Sequence, residues 1–111
     1  PDPAVLGNGG SFFKNPSIPA KQYQLLAKQY PAMPHYPQAD GTLKIPAGWL
    51  IESCGWKGKR EGAVGCHKDQ ALVLVNYGGA QGSDILAFAA AIQKSVKDRF
   101  GIDLSPEVNL F

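Results

Sequence analysis

Residues 84–100 hold the longest helix this sequence can build, and that helix sets the architecture. Ile85, Phe88, Ala89, Ile92, Val96 and Phe100 recur at three- and four-residue spacing, so they form one apolar stripe. Ser83 stands where an N-cap belongs, and Gly101 stands where the helix must end. Just upstream, "ALVLVN" (71–76) is the most hydrophobic strand candidate and is expected to be central.

The rest of the chain is broken into short pieces by 13 glycines and 9 prolines. Residues 1–18 read as extended or turn structure, because Pro1, Pro3 and Pro16 exclude a stable helix. A helix is predicted from about Pro19 to Tyr30, with Ser17 as its cap and Pro31 as its stop. "PAMPHYPQADG" (31–41) reads as a long loop, "TLKI" (42–45) as a strand, and "PAGWLIESCG" (46–55) as a short helix. Residues 56–70 read as loops around a short strand, and "GIDL" and "EVNLF" as final strands. Strands and helices do not alternate regularly. The fold class is therefore α+β, a small, largely antiparallel sheet packed with two or three helices.

Composition narrows the function. Of 111 residues, 44% are hydrophobic and 18% charged, which fits one folded domain and not a disordered chain. A net charge of +2 with scattered lysines suits a small anionic ligand and argues against nucleic acid as a partner. No apolar run approaches the ~18 residues of a membrane span, and no signal peptide is visible. Cys54 and Cys66 read as reduced thiols in or near the core of an intracellular protein. The opening Pro-Asp-Pro, without an initiator Met, suggests a fragment.

Three sorts of chemistry fail on spacing. Cys66 and His67 are neighbours, so in a strand they point to opposite faces and chelate poorly; no CxxC or HxxxH exists, and no metal site is expected. Adjacency likewise gives no nucleophile–base pair. "GNGGS" (7–11) lacks the GK[ST] of a phosphate loop and the strand–helix setting of a dinucleotide fingerprint, so no cofactor-binding motif is present.

Ser11 admits two readings. A serine after glycines is ordinarily a turn residue. Alternatively, the glycines let backbone approach a ligand closely, and the Ser11 hydroxyl is offered there. Without an adjacent His or Lys it is a poor nucleophile, but it can give a proton to a carbanion or enolate. Asn15 could hydrogen-bond the same ligand. Tyr36, Lys44, Lys57, Gln70 and Glu107 each read as surface residues when taken singly. Lys44 stands out, inside a short apolar strand after the loop that carries Tyr36. Lysine and tyrosine together suit a diphosphate and its sugar or base.

"NGGSFFKNP", "YPQADGTLKIPAGWLIE", "GCHKDQALVLVN" and "GIDLSPEV" occur in this order. Together they resemble the C-terminal region of the UDP-N-acetylenolpyruvoylglucosamine reductase family, over essentially the whole chain. The resemblance implies a substrate-binding domain over 1–105, with 106–111 starting a segment that returns to an FAD-binding domain. It implies a cytoplasmic enzyme in which NADPH reduces FAD, and the enolpyruvyl group of UDP-N-acetylglucosamine enolpyruvate is then reduced to give UDP-N-acetylmuramate for peptidoglycan. It places the family's serine proton donor on Ser11 and its catalytic glutamate on Glu107. It places substrate contacts on Asn15, Tyr36, Lys44, Lys57 and Gln70. FAD and the catalytic arginine fall in N-terminal domains outside this chain, so the chain alone is not expected to turn over. The sequence departs from the family at Asn109, where arginine follows "EV". The rival readings are a stand-alone, non-enzymatic nucleotide-sugar-binding module and, more distantly, a small RNA-binding domain.

Overall fold

The structure, a computed structural model, describes residues 4–6 and 10–107. The elements run β1 (Ala4–Leu6), β2 (Ser17–Ile18), α1 (Ala20–Gln29), β3 (Tyr36–Pro37), β4 (Leu43–Lys44), α2 (Ala47–Ser53), β5 (Arg60–Glu61), β6 (Val64–Cys66), β7 (Leu74–Asn76) and α3 (Gly82–Phe100). The α+β reading and the antiparallel pairing hold, but the strands divide between two sheets. One is four-stranded in the order β1-β7-β6-β5, and the other three-stranded in the order β2-β4-β3. Pro46 and α2 lie between β4 and β5 in the chain.

The α3 stripe behaves as its spacing predicts: Phe88, Ala89, Ile92, Val96 and Phe100 are buried. Its cap is Gln81, not Ser83; the Asp84 carboxylate accepts the Gln81 N–H at 2.8 Å. An acid in the first turn also suits the helix dipole. Gly101 ends the helix in a left-handed conformation, φ +70°, which a Cβ would strain. β7 is an inner strand of the larger sheet, as expected for the most apolar segment. It begins only at Leu74, because residues 70–73 close a turn in which Val73 donates to the Gln70 carbonyl.

Three further expectations are corrected. Ser17 does not cap α1; it lies in β2 opposite Lys44. The 31–41 loop contains β3, with Tyr36 opposite Lys44 and Pro37 opposite Leu43. Pro37 is tolerated because β3 is an edge strand. "GIDL" forms no ladder: Ile102 and Leu104 are buried on irregular backbone, and only Pro106 bridges, to Phe13. Beyond Glu107, the "EVNLF" strand lies outside the described residues.

The core joins both sheets to α2 and α3 through Phe12, Phe13, Ile45, Leu50, Ile51, Leu74 and Ile92. Trp56 packs edge-on to Phe88 at 5.3 Å. On the far side of β6, Tyr77 lies over Gly65, and the Arg60 guanidinium sits 4.0 Å from the Tyr77 ring. A Cβ on Gly65 would stand 3.0 Å from that ring, 3.1 Å from the Lys59 carbonyl oxygen and 3.2 Å from the Arg60 Cα. Two of these three are backbone atoms and cannot swing away. Gly65→Ala is therefore expected to cost about 1–3 kcal/mol, the range for overpacking. Urea unfolding checks this, and an unchanged midpoint rejects the close approach.

Candidate functional site

Ser11 sits half-buried at the head of a tightly held extended segment. Gly10 before it has φ +89°, so a glycine is required there for backbone reasons alone. Phe12 and Phe13 after it are buried, with ring centroids 5.0 Å apart. Phe12 donates its N–H to Leu72 O at 3.1 Å and accepts from the Glu107 N–H at 2.7 Å; Lys14 donates to Ser105 O at 2.8 Å. The segment is thus clamped from both sides. The clamp sets Glu107, itself exposed, alongside the residue that follows Ser11.

Asn15 has a structural task that the sequence did not reveal. Its Oδ1 accepts the Ala47 N–H at 2.8 Å, capping α2 from 32 residues away. Pro46, at the N-cap, supplies no side-chain bond. Asparagine is a good capping residue, but nothing local in sequence could pair it with this helix. Its oxygen is committed, so its Nδ2 group is the end free to donate.

Lys44 is half-buried in the middle strand of the smaller sheet. Ser17 and Tyr36 stand directly opposite it on the two flanking strands. Directly opposed residues share a face, so the three form one polar row, while Ile18 and Leu43 face the other way. Tyr36 is 56% exposed, enough to meet a ligand with its ring and hydroxyl. Among the described residues Lys44 takes part in no ion pair, unlike Lys57, Lys59, Lys94 and Lys97. A half-buried lysine outside any ion pair among the described residues is well placed for an anion.

Lys57 and Gln70 lie on a second stretch of surface. Lys57 is exposed and ion-paired to Glu52; that hydrogen bond and charge, with a lesser contribution from Asp69, push its pKa up. Neighbouring Gly58 donates to the His67 carbonyl at 3.3 Å, which sets Lys57 beside the loop carrying Gln70. Gln70 is exposed, and its carbonyl accepts the Val73 N–H at 3.0 Å, closing the turn that contains Leu72. Leu72 joins the two stretches, holding Phe12 through its carbonyl while its Cβ lies 3.6 Å from where a Cβ on Gly48 of α2 would stand. The seven candidates therefore fall into three neighbouring groups: Ser11 with Glu107, Lys57 with Gln70, and Asn15 with the Lys44–Tyr36 row.

The remaining candidates have local roles. Burial pushes the Cys66 thiol up to about 12, and burial also raises Cys54 against a smaller opposing effect from Arg99. Both stay protonated near neutrality and are neither nucleophiles nor thiolate ligands. His67 uses Nδ1 to accept the Asp69 N–H at 3.0 Å. Among the described residues, no group of three or more His, Cys, Asp or Glu side chains converges to hold a metal.

The turn between β7 and α3 does not fit the pyrophosphate of a dinucleotide. Gly78 and Gly79 do stand between β7 and α3, and Gly82 opens α3, where a cradle would lie. But Asn76 Oδ1 already accepts the N–H groups of Gly78 at 2.8 Å and Ala80 at 3.4 Å. Asp84 takes the Gln81 N–H and puts a negative charge where a pyrophosphate would come.

Two small antiparallel sheets with three helices define an α+β domain. The chain belongs to the family described as UDP-N-acetylenolpyruvoylglucosamine reductase, C-terminal domain, whose model matches residues 2–111. It is similar to proteins named UDP-N-acetylenolpyruvoylglucosamine reductase from several bacteria. It is 59% identical to the one from Pseudomonas aeruginosa over 100% of this chain and 33% of that protein. For Porphyromonas gingivalis the figures are 57%, 97% and 32%, and for an Azoarcus species 60%, 96% and 31%. The chain thus spans about a third of the length of the curated relatives it matches. Among the described residues no helix is long and apolar enough to cross a membrane.

Proposed function

We propose that this chain is the substrate-binding domain of a cytoplasmic, FAD-dependent and NADPH-using reductase. In this reading the whole enzyme converts UDP-N-acetylglucosamine enolpyruvate to UDP-N-acetylmuramate, a peptidoglycan precursor. Residues 1–105 are the domain, and 106–111 begin the segment returning to the FAD-binding part. FAD and NADPH supply the reducing equivalents from outside this domain, consistent with the filled glycine turn before α3.

The observation that carries the reading is the half-buried Lys44, outside any ion pair among the described residues, in one row with Tyr36. A nucleotide sugar presents a diphosphate, and a lysine ammonium meets it as a point charge. Tyr36 offers an aromatic face and a hydroxyl to the base or sugar. Asn15 offers its N–H donors to the ligand while its oxygen holds α2. Lys57 exchanges its Glu52 partner for a phosphate, and Gln70 adds a neutral donor or acceptor beside it.

Saturating the vinyl group takes a hydride and a proton. The hydride leaves a carbanion or enolate next to the substrate carboxylate, and Ser11 Oγ–H protonates that carbon. The clamp that fixes Phe12 and Phe13 holds Ser11 in place before the charge develops, which is what lowers the reorganisation cost of such a step. Glu107, held alongside by the same clamp, is the second catalytic group.

In the full-length reductase, Lys44→Ala is expected to weaken binding of the UDP-sugar substrate by about 1–3 kcal/mol, the value of a hydrogen bond to a charged group. Calorimetry measures it. An unchanged dissociation constant removes Lys44 from the site.

A further inference from the structure

Ser17 does not perform the task its sequence position suggests. It caps no helix: the N-cap of α1 is Pro19, and no side-chain bond is made there. Among the described residues the Ser53 hydroxyl bonds the Trp49 carbonyl and the Thr42 hydroxyl bonds the Asp40 carboxylate, whereas the Ser17 hydroxyl has no such partner. A strand position favours β-branched and aromatic side chains, and Ser17 is neither.

The ladder shows what stands beside that hydroxyl. Ile45 donates its N–H to the Pro16 carbonyl at 2.8 Å. Pro16 and Ile45 are therefore opposed across a hydrogen bond, and Ser17 and Lys44, the next pair along, form a non-hydrogen-bonded pair. Such pairs bring the two Cα atoms to about 4.5 Å, against about 5.5 Å for hydrogen-bonded pairs. On the other flank Gln38 donates to the Thr42 carbonyl at 2.9 Å, which makes Tyr36 and Lys44 a pair of the wider kind. Ser17 is thus the nearer cross-strand neighbour of Lys44. Ile18, 5% exposed, ties β2 to the core and leaves Ser17 on the exposed side of the strand.

We propose that Ser17 is a further substrate-binding residue, whose hydroxyl donates to the same phosphate that Lys44 neutralises; this rests on the reading of the Lys44–Tyr36 row as the diphosphate site. The serine is short, and the lysine is long and flexible. An anion seated over β2 meets the hydroxyl at its base and the ammonium above it, and no hydrogen bond of the fold has to break. The ammonium supplies charge with little direction. The hydroxyl supplies a directed donor, which fixes where along the row the phosphate sits.

A double-mutant cycle in the full-length reductase tests it, with calorimetry of UDP-N-acetylglucosamine enolpyruvate as the readout. Ser17→Ala is expected to weaken binding about 10-fold, as for one lost hydrogen bond to a charged group, and to raise KM without lowering kcat. In a Lys44→Ala background the same change is expected to cost less than about 3-fold, because two groups on one phosphate are coupled. Ser17→Thr keeps the hydroxyl and restores binding. The urea midpoint of Ser17→Ala is expected to match that of the wild type. An unchanged dissociation constant for Ser17→Ala beside a weakened Lys44→Ala overturns the inference and leaves the row as the diphosphate site. No effect of either substitution overturns both readings. A full 10-fold loss in the Lys44→Ala background overturns the shared phosphate. A lowered kcat or a shifted urea midpoint overturns the inference in favour of a structural role.

Discussion

Ser11→Ala in the full-length reductase is expected to leave reduction of the bound flavin by NADPH intact and to lower product formation by about 10²–10⁴-fold, the range for a positioned general acid. The clamp around Ser11 uses backbone groups of Phe12 and Lys14, so the substitution leaves it untouched. Stability should therefore change by no more than about 0.5 kcal/mol. Substrate affinity should hold as well, because the cationic group proposed for the diphosphate is Lys44, in the three-stranded sheet, to which Ser11 does not belong. Stopped-flow absorbance separates the two half-reactions. Reoxidation of the reduced flavin by substrate at the normal rate removes Ser11 from proton delivery.

The elements most legible in the sequence were those fixed by local pattern. The α3 stripe reads directly from three- and four-residue spacing, and Gly101 reads as its stop because a left-handed residue is needed there. Ser11 and the motif around it stood out because glycines in a short run announce special backbone. What stayed hidden depends on partners distant in sequence. Asn15 caps a helix that begins 32 residues later, and no window of sequence joins the two. Ser17 read as a cap because it precedes a helix, but it pairs with Lys44 across the sheet. β3 was hidden by its own prolines, since an edge strand tolerates what a central strand does not. The same long-range pairing places Tyr36 opposite Lys44, turning two scattered surface residues into neighbours. The second face of the larger sheet was equally hidden, because "ALVLVN" is apolar at nearly every position and does not say which valines meet the core.

Phe12→Ala is expected to destabilise the domain by about 3–5 kcal/mol, the cost of truncating a fully buried aromatic. Phe12 is 0% exposed and lies edge-on to Phe13 in the cluster that joins both sheets to α2 and α3. A domain this size holds only about 5–15 kcal/mol in total, so the loss is a large part of its stability. The effect extends beyond the cavity. Phe12 also anchors the segment to Leu72 on one side and to Glu107 on the other. With the ring gone, those two hydrogen bonds are no longer backed by packing, and Ser11 and Glu107 lose their fixed separation. Phe12→Leu keeps most of the volume and should fall between wild type and Ala on both counts. Urea unfolding of the full-length reductase, followed by a probe in this domain, gives the stability change. Turnover measured well below the unfolding midpoint gives the positional effect. A stability loss under about 1 kcal/mol means the segment is held by its hydrogen bonds alone. A full loss with unchanged turnover of the folded enzyme means that the clamp holds the fold together but does not set the geometry of Ser11.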